Sequence, residues 1–272
     1  MKIKQRVFEF FNKGIGWRIT SLVVDFKFLI WKIKYPQTGF SDFYAGSIAS
    51  RLRRGHSHKT LGNKKFLSGS LIADSTQLDQ TEMESRGTKY FNLAIRYGLK
   101  PEHNCVDYGC GSLRVGRHLI SYLQSGKYLG LDIVSDFFEI GKSLLPEQTL
   151  EVKKPQFNTI NPLALEAATL QAPQFILSFA VLKHVPPNEL DTYFANIFSM
   201  MSLNSHAVIT FNHARKTART GAKIWDYCQD DIFTSIRSQS SDLYFSISPF
   251  YTEHKEESFP RISVLLIRRQ NV

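Results

Sequence analysis

The feature of the sequence that most restricts the fold is a glycine-containing stretch between residues 104 and 119. It begins with a short apolar run that ends in an acid, Asp107, and two glycines follow, Gly109 and Gly111. Beyond the glycines, apolar residues recur at the spacing of one helical face, at Val115, Leu119, Ile120 and Leu123. The stretch therefore predicts a strand, a tight glycine turn and a helix.

This order of elements is typical of a nucleotide-type cofactor site at the carboxyl end of a parallel strand. Glycine has no Cβ, so the backbone can approach a ligand closely, and the following helix N-terminus offers free N–H groups. The spacing differs from a dinucleotide fingerprint, because Arg114 stands where that motif requires its third glycine. What the stretch fits is an acid followed by G-x-G, with an ordinary tight turn as the alternative interpretation.

A second short apolar strand that ends in an acid is predicted at residues 128–133. Its acid, Asp132, comes 25 positions after Asp107. A carboxylate at the tip of a second strand can accept two hydrogen bonds from ribose hydroxyls. Asp132 is therefore a candidate ligand for a nucleoside.

Three further segments continue the alternation of strands and helices. Residues 174–186 predict a buried strand, a loop and the start of a helix, and residues 190–201 carry a helical apolar stripe. Residues 205–211 predict another strand. Matching segments in this order are together far more specific than any one of them.

Together these segments resemble the class I S-adenosylmethionine-dependent methyltransferases, of the bacterial small-molecule and saccharide type. Residues 107–111, Asp-Tyr-Gly-Cys-Gly, are similar to the family's first motif, and residues 181–186, Val-Leu-Lys-His-Val-Pro, to the continuation of its fourth. The third glycine common in the family is Leu113 here. The similarity runs from about residue 66 to the C-terminus and is only general past residue 211.

The resemblance implies an α/β fold, namely a Rossmann-like, seven-stranded, mostly parallel sheet with helices on both faces and an antiparallel last strand. We expect a basic, helical N-terminal extension over residues 1–65 and a methyltransferase domain over residues 66–272. Inside the domain, the patterns predict helices at 79–97, 135–144 and 225–236, a third strand near Leu150, and strands at 243–247 and 261–268. The family's adenine contact follows the third strand, but no acid stands at Asn158, so this contact is unassigned.

The resemblance also implies S-adenosylmethionine as the cofactor. Its contacts are carried over to Asp107, Gly109, Cys110, Gly111, Asp132, Ile133, Ser178 and Phe179. We expect Cys110 to fill space and not to act as a nucleophile. His184 is the first candidate for a catalytic base, because imidazole titrates near neutral pH, and His213 is the second. A helix-start histidine bonded to backbone is the alternative for His184. No Cys/His set has zinc spacing, so no metal site is predicted.

The positive charge of the chain is concentrated in the N-terminal extension. The net charge is +10 overall, and residues 1–65 hold 14 Lys/Arg against 3 Asp/Glu. Such a patch suggests an anionic partner, such as phospholipid headgroups, a phosphorylated substrate or nucleic acid. The alternative is a solubilising surface.

Residues 1–36 combine aromatic, basic and apolar side chains, and Gly14 and Gly16 are expected to divide them into two helices. The second helix is not a predicted membrane span, because Arg18, Asp25 and Lys27 fall within it. It could pack on the core or on another subunit, lie in a membrane interface, or cover the active site as a lid, and we favour packing. Residues 37–65 are expected to form a mobile or substrate-contacting loop.

The function that these features favour is methyl transfer to oxygen or nitrogen of a small molecule, a sugar or a lipid-linked acceptor. An RNA methyltransferase that uses the basic arm and a non-catalytic binding protein on the same fold are the alternatives. The segment after the fourth strand lacks both an Asn/Asp-Pro-Pro-Tyr motif and a Pro-Cys pair, which disfavours amino-methylating DNA enzymes and cytosine-carbon methylation. Three cysteines without paired spacing fit a reducing compartment, so we expect a cytoplasmic location, with a peripheral position at the inner membrane face as the alternative.

Overall fold

The computed structural model describes residues 15–56, 65–67, 70–72, 77–250 and 261–269. For residues 15, 65–67, 70–72, 77–86 and 261, the description covers the backbone alone. The helices are α1 (Ile15–Lys34), α2 (Phe40–Arg53), α3 (Gln77–Arg96), α4 (Gly116–Tyr122), α5 (Ser135–Ser143), α6 (Glu147–Lys153), α7 (Pro162–Leu170), α8 (Leu190–Met200) and α9 (Gln229–Arg237). Short 3-10 turns occupy Leu182–His184 and Pro187–Glu189.

The described strands are β1 (Lys65–Leu67), β2 (Ser70–Ile72), β3 (Cys105–Tyr108), β4 (Tyr128–Asp132), β5 (Gln156–Thr159), β6 (Phe175–Ser178), β7 (His206–His213), β8 (Ala218–Gly221), β9 (Ile224–Asp226), β10 (Leu243–Pro249) and β11 (Arg261–Arg269). Seven of them form one sheet in the order β10-β11-β7-β6-β3-β4-β5. β11 is antiparallel to both neighbours, and the pairs on the β3 side are parallel. The predicted Rossmann-like sheet, with its antiparallel last strand, is confirmed.

Helices cover both faces of the sheet, which explains why its central strands are apolar runs and do not alternate. Val106 and Ile176 point into a core shared with α7, α8 and α9. Cys105 and Leu177 point into a second core, on the opposite face, with α3 and α4. β3 and β6 are neighbouring parallel strands that are buried on both faces. The loops that follow them therefore lie at the same edge of the sheet, and the candidate site is at this edge.

The N-terminal extension is helical beyond residue 36, so the predicted loop at 37–65 is wrong over α2. The Gly39 N–H donates to the Asp42 carboxylate at 2.7 Å, which caps the start of α2. Glu189 anchors the same end from the core, accepting the Ser41 N–H at 3.1 Å. The sequence contains a weak signal for this helix. Four apolar residues at helical spacing form its buried stripe, namely Phe40, Phe43, Ile48 and Leu52.

Two other predicted boundaries are wrong. The segment near Leu150 is helical, as part of α6, and the third strand of the sheet begins later, at Gln156. Pro146 and Glu147 start that helix, and Lys154 ends it with a left-handed φ of +47°. The predicted helix at 225–236 begins only at Gln229, because Ile224–Asp226 pairs with β8 as a small antiparallel hairpin.

Candidate functional site

The glycine turn after β3 is held against the next strand by backbone hydrogen bonds. The N–H groups of Gly109 and Cys110 both donate to the Leu131 carbonyl, at 2.7 and 3.0 Å. Gly109 has a φ of +85°, and a Cβ built there would lie 2.2 Å from Val181 Cγ2. This position therefore requires glycine twice over, for its backbone conformation and for the contact with Val181.

Asp132, at the carboxyl end of β4, faces this turn. Its Oδ2 accepts the Gly111 N–H and its Oδ1 accepts the Val134 N–H, both at 2.8 Å. Burial raises the pKa of Asp132 to about 6, although backbone N–H bonds from Val134, Gly111 and Ile133 oppose the shift. The bonds from Gly111 and Val134 fix the plane of the carboxylate.

Asp107, at the end of β3, is buried beneath the turn. Its Oδ2 accepts the Tyr128 hydroxyl at 2.9 Å. Burial, with a further contribution from the nearby Asp132 charge, raises the pKa of Asp107 from 3.8 to about 7, against the opposing effect of the Tyr128 bond. The structure thus shows Asp107 bracing β3 against β4.

The raised pKa of Asp107 leads to a prediction about stability. The folded state retains a proton that the unfolded chain releases above about pH 4, so this group lowers stability as pH rises from roughly 4 to 7. Asp107→Asn cannot ionise, and its amide oxygen can still accept the Tyr128 hydroxyl. We expect the variant to be more stable than wild type by about 2–4 kcal/mol at pH 8 and nearly equal at pH 4.

The measurement is urea unfolding of wild type and Asp107→Asn across this pH range. Asp230→Asn is the control, because Asp230 is an exposed acid on α9 and should leave the pH dependence unchanged. Equal slopes of stability against pH in wild type and Asp107→Asn would contradict an uncompensated carboxyl beneath the turn.

Leu113 keeps the backbone of the glycine it replaces in the related motif. Its φ is +59°, in the left-handed region that side chains other than glycine rarely adopt. The side chain is buried, and glycines make room for it. A Cβ on Gly141 would lie 2.6 Å from Leu113 Cγ, and one on Gly116 would lie 3.0 Å from Leu113 Cδ2. The turn therefore retains its shape, with the close packing moved to α4 and α5.

The neighbouring predicted contacts, Cys110 and Ile133, occupy different environments. Cys110 is buried, and burial holds the pKa of its thiol well above the usual range. Its Sγ lies 3.1 Å from where a Cβ on Gly130 would be, so the thiol packs against β4. Ile133 packs in a small cluster with Ile48, from α2. The N-terminal extension thus contacts the residue that follows Asp132.

Ser178 and Phe179, at the end of β6, point in different directions. The Ser178 hydroxyl is fully buried and accepts the Tyr193 hydroxyl at 2.7 Å, on the α8 side of the sheet. Phe179 belongs to the opposite core, and its ring stacks on Tyr90 of α3 at 5.1 Å. Phe250 stacks on Tyr90 as well, at 5.5 Å. Phe179 therefore presents its ring to a wall of aromatic side chains.

His184 lies in the turn after β6, and its ring is oriented by two neighbours. Its Nδ1 lies 2.9 Å from the Lys223 carbonyl oxygen, so Nδ1 carries the proton and donates it. Its ring stacks on Tyr44 of α2, with ring centroids 5.6 Å apart. In the neutral ring this arrangement makes Nε2 the basic nitrogen.

His213 ends β7 and is enclosed more tightly. Its Nδ1 lies 3.0 Å from the Ser263 hydroxyl of β11, and the ring is buried. The strand end is also joined to Tyr227 through a backbone bridge. His213 is therefore built into the β7–β11 junction.

The structure adds two residues that the sequence prediction missed, Tyr44 and Lys223. Burial, and then the Asp132 charge, raise the pKa of the Tyr44 phenol, and the Tyr44 ring stacks on His184. The Lys223 Nζ lies 4.8 Å from the Tyr44 ring centre, and burial together with the Arg51 and Lys27 charges lowers the Lys223 pKa to about 8. Neither residue stands in a motif, since both reach the site through tertiary packing.

The residues that the structure describes contain no cluster of three or more His, Cys, Asp or Glu side chains that could hold a metal ion. The groups gathered at the ends of β3, β4 and β6 are instead carboxylates, backbone N–H groups, one imidazole and aromatic rings. Such a set can bind ribose hydroxyls and a planar base, and can accept a proton.

Comparison with solved structures shows which known fold this is. Magnesium protoporphyrin IX methyltransferase from Synechocystis with bound SAM aligns at a TM-score of 0.54 and 15% identity, over 85% of this chain and 95% of that one. A SAM-dependent methyltransferase from Leishmania major aligns at 0.52 and 12% identity, over 83% of each chain. A third, from Clostridium acetobutylicum, aligns at 0.50 and 11%, over 73% of this chain and 94% of that one.

Comparison of the sequence alone identifies no relative. No protein-family model matches the chain, and no curated protein matches its sequence. The sheet order, the glycine turn after β3 and the aligned structures nevertheless agree. The chain has the fold of the S-adenosylmethionine-dependent methyltransferases.

Proposed function

We propose that the chain transfers a methyl group from S-adenosylmethionine to oxygen or nitrogen of a small molecule, a sugar or a lipid-linked acceptor. The observation that carries the proposal is the Asp132 carboxylate, held by the Gly111 and Val134 N–H groups at the tip of the second strand. The carboxylate can accept a ribose hydroxyl at a lone pair that these backbone groups leave. Solved structures of the same fold include one with bound SAM.

The residues present fit this cofactor. Gly111 brings no Cβ beside the Asp132 carboxylate, and Ile133 places an apolar side chain next to Asp132. S-adenosylmethionine supplies a methyl group already activated as a sulfonium, so the protein chiefly has to bind and orient the two reactants.

We assign to His184 the role of the base that accepts the proton of the acceptor. With S-adenosylmethionine bound, His184 Nε2 would accept the proton that the acceptor oxygen or nitrogen loses on methylation. The Lys223 carbonyl holds the opposite nitrogen, Nδ1, which fixes this tautomer. His213 is the second candidate, and its place between β7 and β11 supports a positioning role.

Titration calorimetry with S-adenosylmethionine tests cofactor binding. Wild type should bind, and Asp132→Ala should lose about 10-fold to 150-fold in affinity, corresponding to one hydrogen bond to a charged group at about 1.5–3 kcal/mol. Asp230→Ala, which removes an exposed acid on α9, should bind as wild type does. Absence of heat with wild type, or an unchanged affinity in Asp132→Ala, would favour a binding protein for another ligand.

The acceptor is then sought directly. We would incubate the protein with methyl-labelled S-adenosylmethionine and separated lipid, glycan and RNA fractions of a cell extract. Label in the lipid, glycan or small-molecule fraction supports the proposal. Label confined to RNA would replace it with RNA methylation.

A further inference from the structure

Within the part of the chain that the structure describes, helix α1 packs against its neighbours along one side. Its inner side contacts α2, where the Phe28 ring lies 5.3 Å from Phe40 and the Trp31 ring 6.0 Å from Phe43. A Cβ on Gly46 would lie 2.7 Å from the Trp31 ring, so the two helices approach closely. These contacts fix which side of α1 faces outward.

The outward side of α1 is apolar and exposed. Leu22 is 69% exposed, Phe26 64% and Ile33 78%. At helical spacing they share one face with the other large exposed apolar residues of the helix, Ile19, Val23, Leu29 and Ile30. Seven such side chains on about a third of the helix circumference form a continuous stripe, which we call the α1 stripe. Exposed apolar patches of this kind mark contact surfaces.

Basic side chains border the α1 stripe. Arg18 lies on one edge, and Lys27 and Lys34 lie on the other, all exposed. The one acid in the sequence of α1, Asp25, accepts two 2.8 Å hydrogen bonds from Arg219 of β8. Because Asp25 is neutralised by this pair, the border of the stripe is positively charged.

The exposed apolar surface of α1 runs along one side of the helix. Trp17, in the first turn, lies by helical spacing on the opposite side. Of the helices that the structure describes, none combines the length and the apolar character needed to cross a membrane. The geometry is that of a helix lying along a surface.

We propose that the α1 stripe binds an anionic phospholipid surface, with the helix parallel to the bilayer plane. The apolar side chains enter the acyl boundary while Arg18, Lys27 and Lys34 reach the headgroups. A second copy of the chain fits the α1 stripe less well. Its identical stripe would bring its own positively charged border against the positively charged border of the first copy. The proposal concerns α1 alone and does not depend on methyl transfer.

The test is vesicle co-sedimentation with the full chain. Wild type should bind vesicles that contain phosphatidylglycerol and phosphatidylcholine, and should bind weakly to phosphatidylcholine alone. The triple variant Leu22→Ser, Phe26→Ser and Ile33→Ser should lose at least about tenfold of the binding. The double variant Lys27→Gln and Lys34→Gln should lose binding to the anionic vesicles specifically, as should wild type in high salt.

The matched control is Leu163→Ser with Leu170→Ser, which removes two leucines from α7 that are 77% and 82% exposed. It should bind as wild type does. No vesicle binding by wild type, or equal binding by the triple variant, overturns the proposal. In parallel, sedimentation velocity without lipid identifies the competing occupant, since a dimer that the triple variant abolishes would assign the stripe to a second copy and overturn the membrane assignment. Binding to RNA in place of anionic vesicles would overturn it as well.

Discussion

Gly109→Ala should lower the free energy of unfolding by about 3–5 kcal/mol. Two costs combine at this position. An alanine at a φ of +85° is strained by about 1–2 kcal/mol, and its Cβ would lie 2.2 Å from Val181 Cγ2. The turn must shift to relieve the overlap, and it carries the Gly111 N–H that holds Asp132. We therefore expect cofactor affinity to fall together with stability.

Two further variants separate these costs. Gly98→Ala has the strain alone, because its φ is +95° and no atom lies within 4 Å of the added Cβ, so it should cost only about 1–2 kcal/mol. Val181→Ala removes both methyl groups that the new Cβ would meet. In the double variant with Gly109→Ala, the losses should therefore be clearly less than additive. The measurement is urea unfolding of wild type, the three single variants and the double variant. Additive losses would show that Val181 does not determine the requirement for glycine at position 109.

The sheet and the core of the site could be predicted from the sequence because their signals are local. β3 and β4 are short apolar runs that each end in an acid, and buried parallel strands take this form. The glycines of the turn are required by backbone geometry, which acts within a few residues. Asp132 could be placed at a strand tip from spacing alone, and its two backbone hydrogen bonds follow from that position.

The rest of the site depends on contacts between distant segments. Tyr44 stands far from every motif, and it reaches His184 only because α2 packs over the ends of the strands. That helix begins where it does partly because Glu189 accepts its first N–H groups across the molecule. The apolar stripe within residues 37–65 is only a weak helical signal and contains no information about these contacts, which is why a loop was predicted.

The error near Leu150 has a similar origin. Leu150 and Val152 are apolar, but Val152 is 59% exposed on α6, so the apolar pair does not mark a buried strand. The true edge strand, β5, is mostly exposed and largely polar. An edge strand is defined by its hydrogen bonds to β4 and needs little apolar character of its own, so its sequence signal is weak.

His184→Asn should lower kcat by about 10²–10⁴-fold, the loss expected when a positioned general base is removed. Asparagine can still donate from its side-chain amide to the Lys223 carbonyl, which lies 2.9 Å from His184 Nδ1 in wild type, but it offers no basic nitrogen at the position of Nε2. The variant should thus retain the fold and the affinity for S-adenosylmethionine while losing turnover.

The measurement is transfer of labelled methyl to the acceptor fraction at saturating S-adenosylmethionine, with unfolding and calorimetry on the same samples. His213→Asn is the comparison, because that imidazole is bonded to Ser263 between β7 and β11 and its loss should affect stability more than turnover. If His213→Asn abolished turnover while His184→Asn retained it, the base would be His213. If both variants turned over at the wild-type rate, the acceptor would lose its proton without help from either imidazole, as an amine that is already neutral can do.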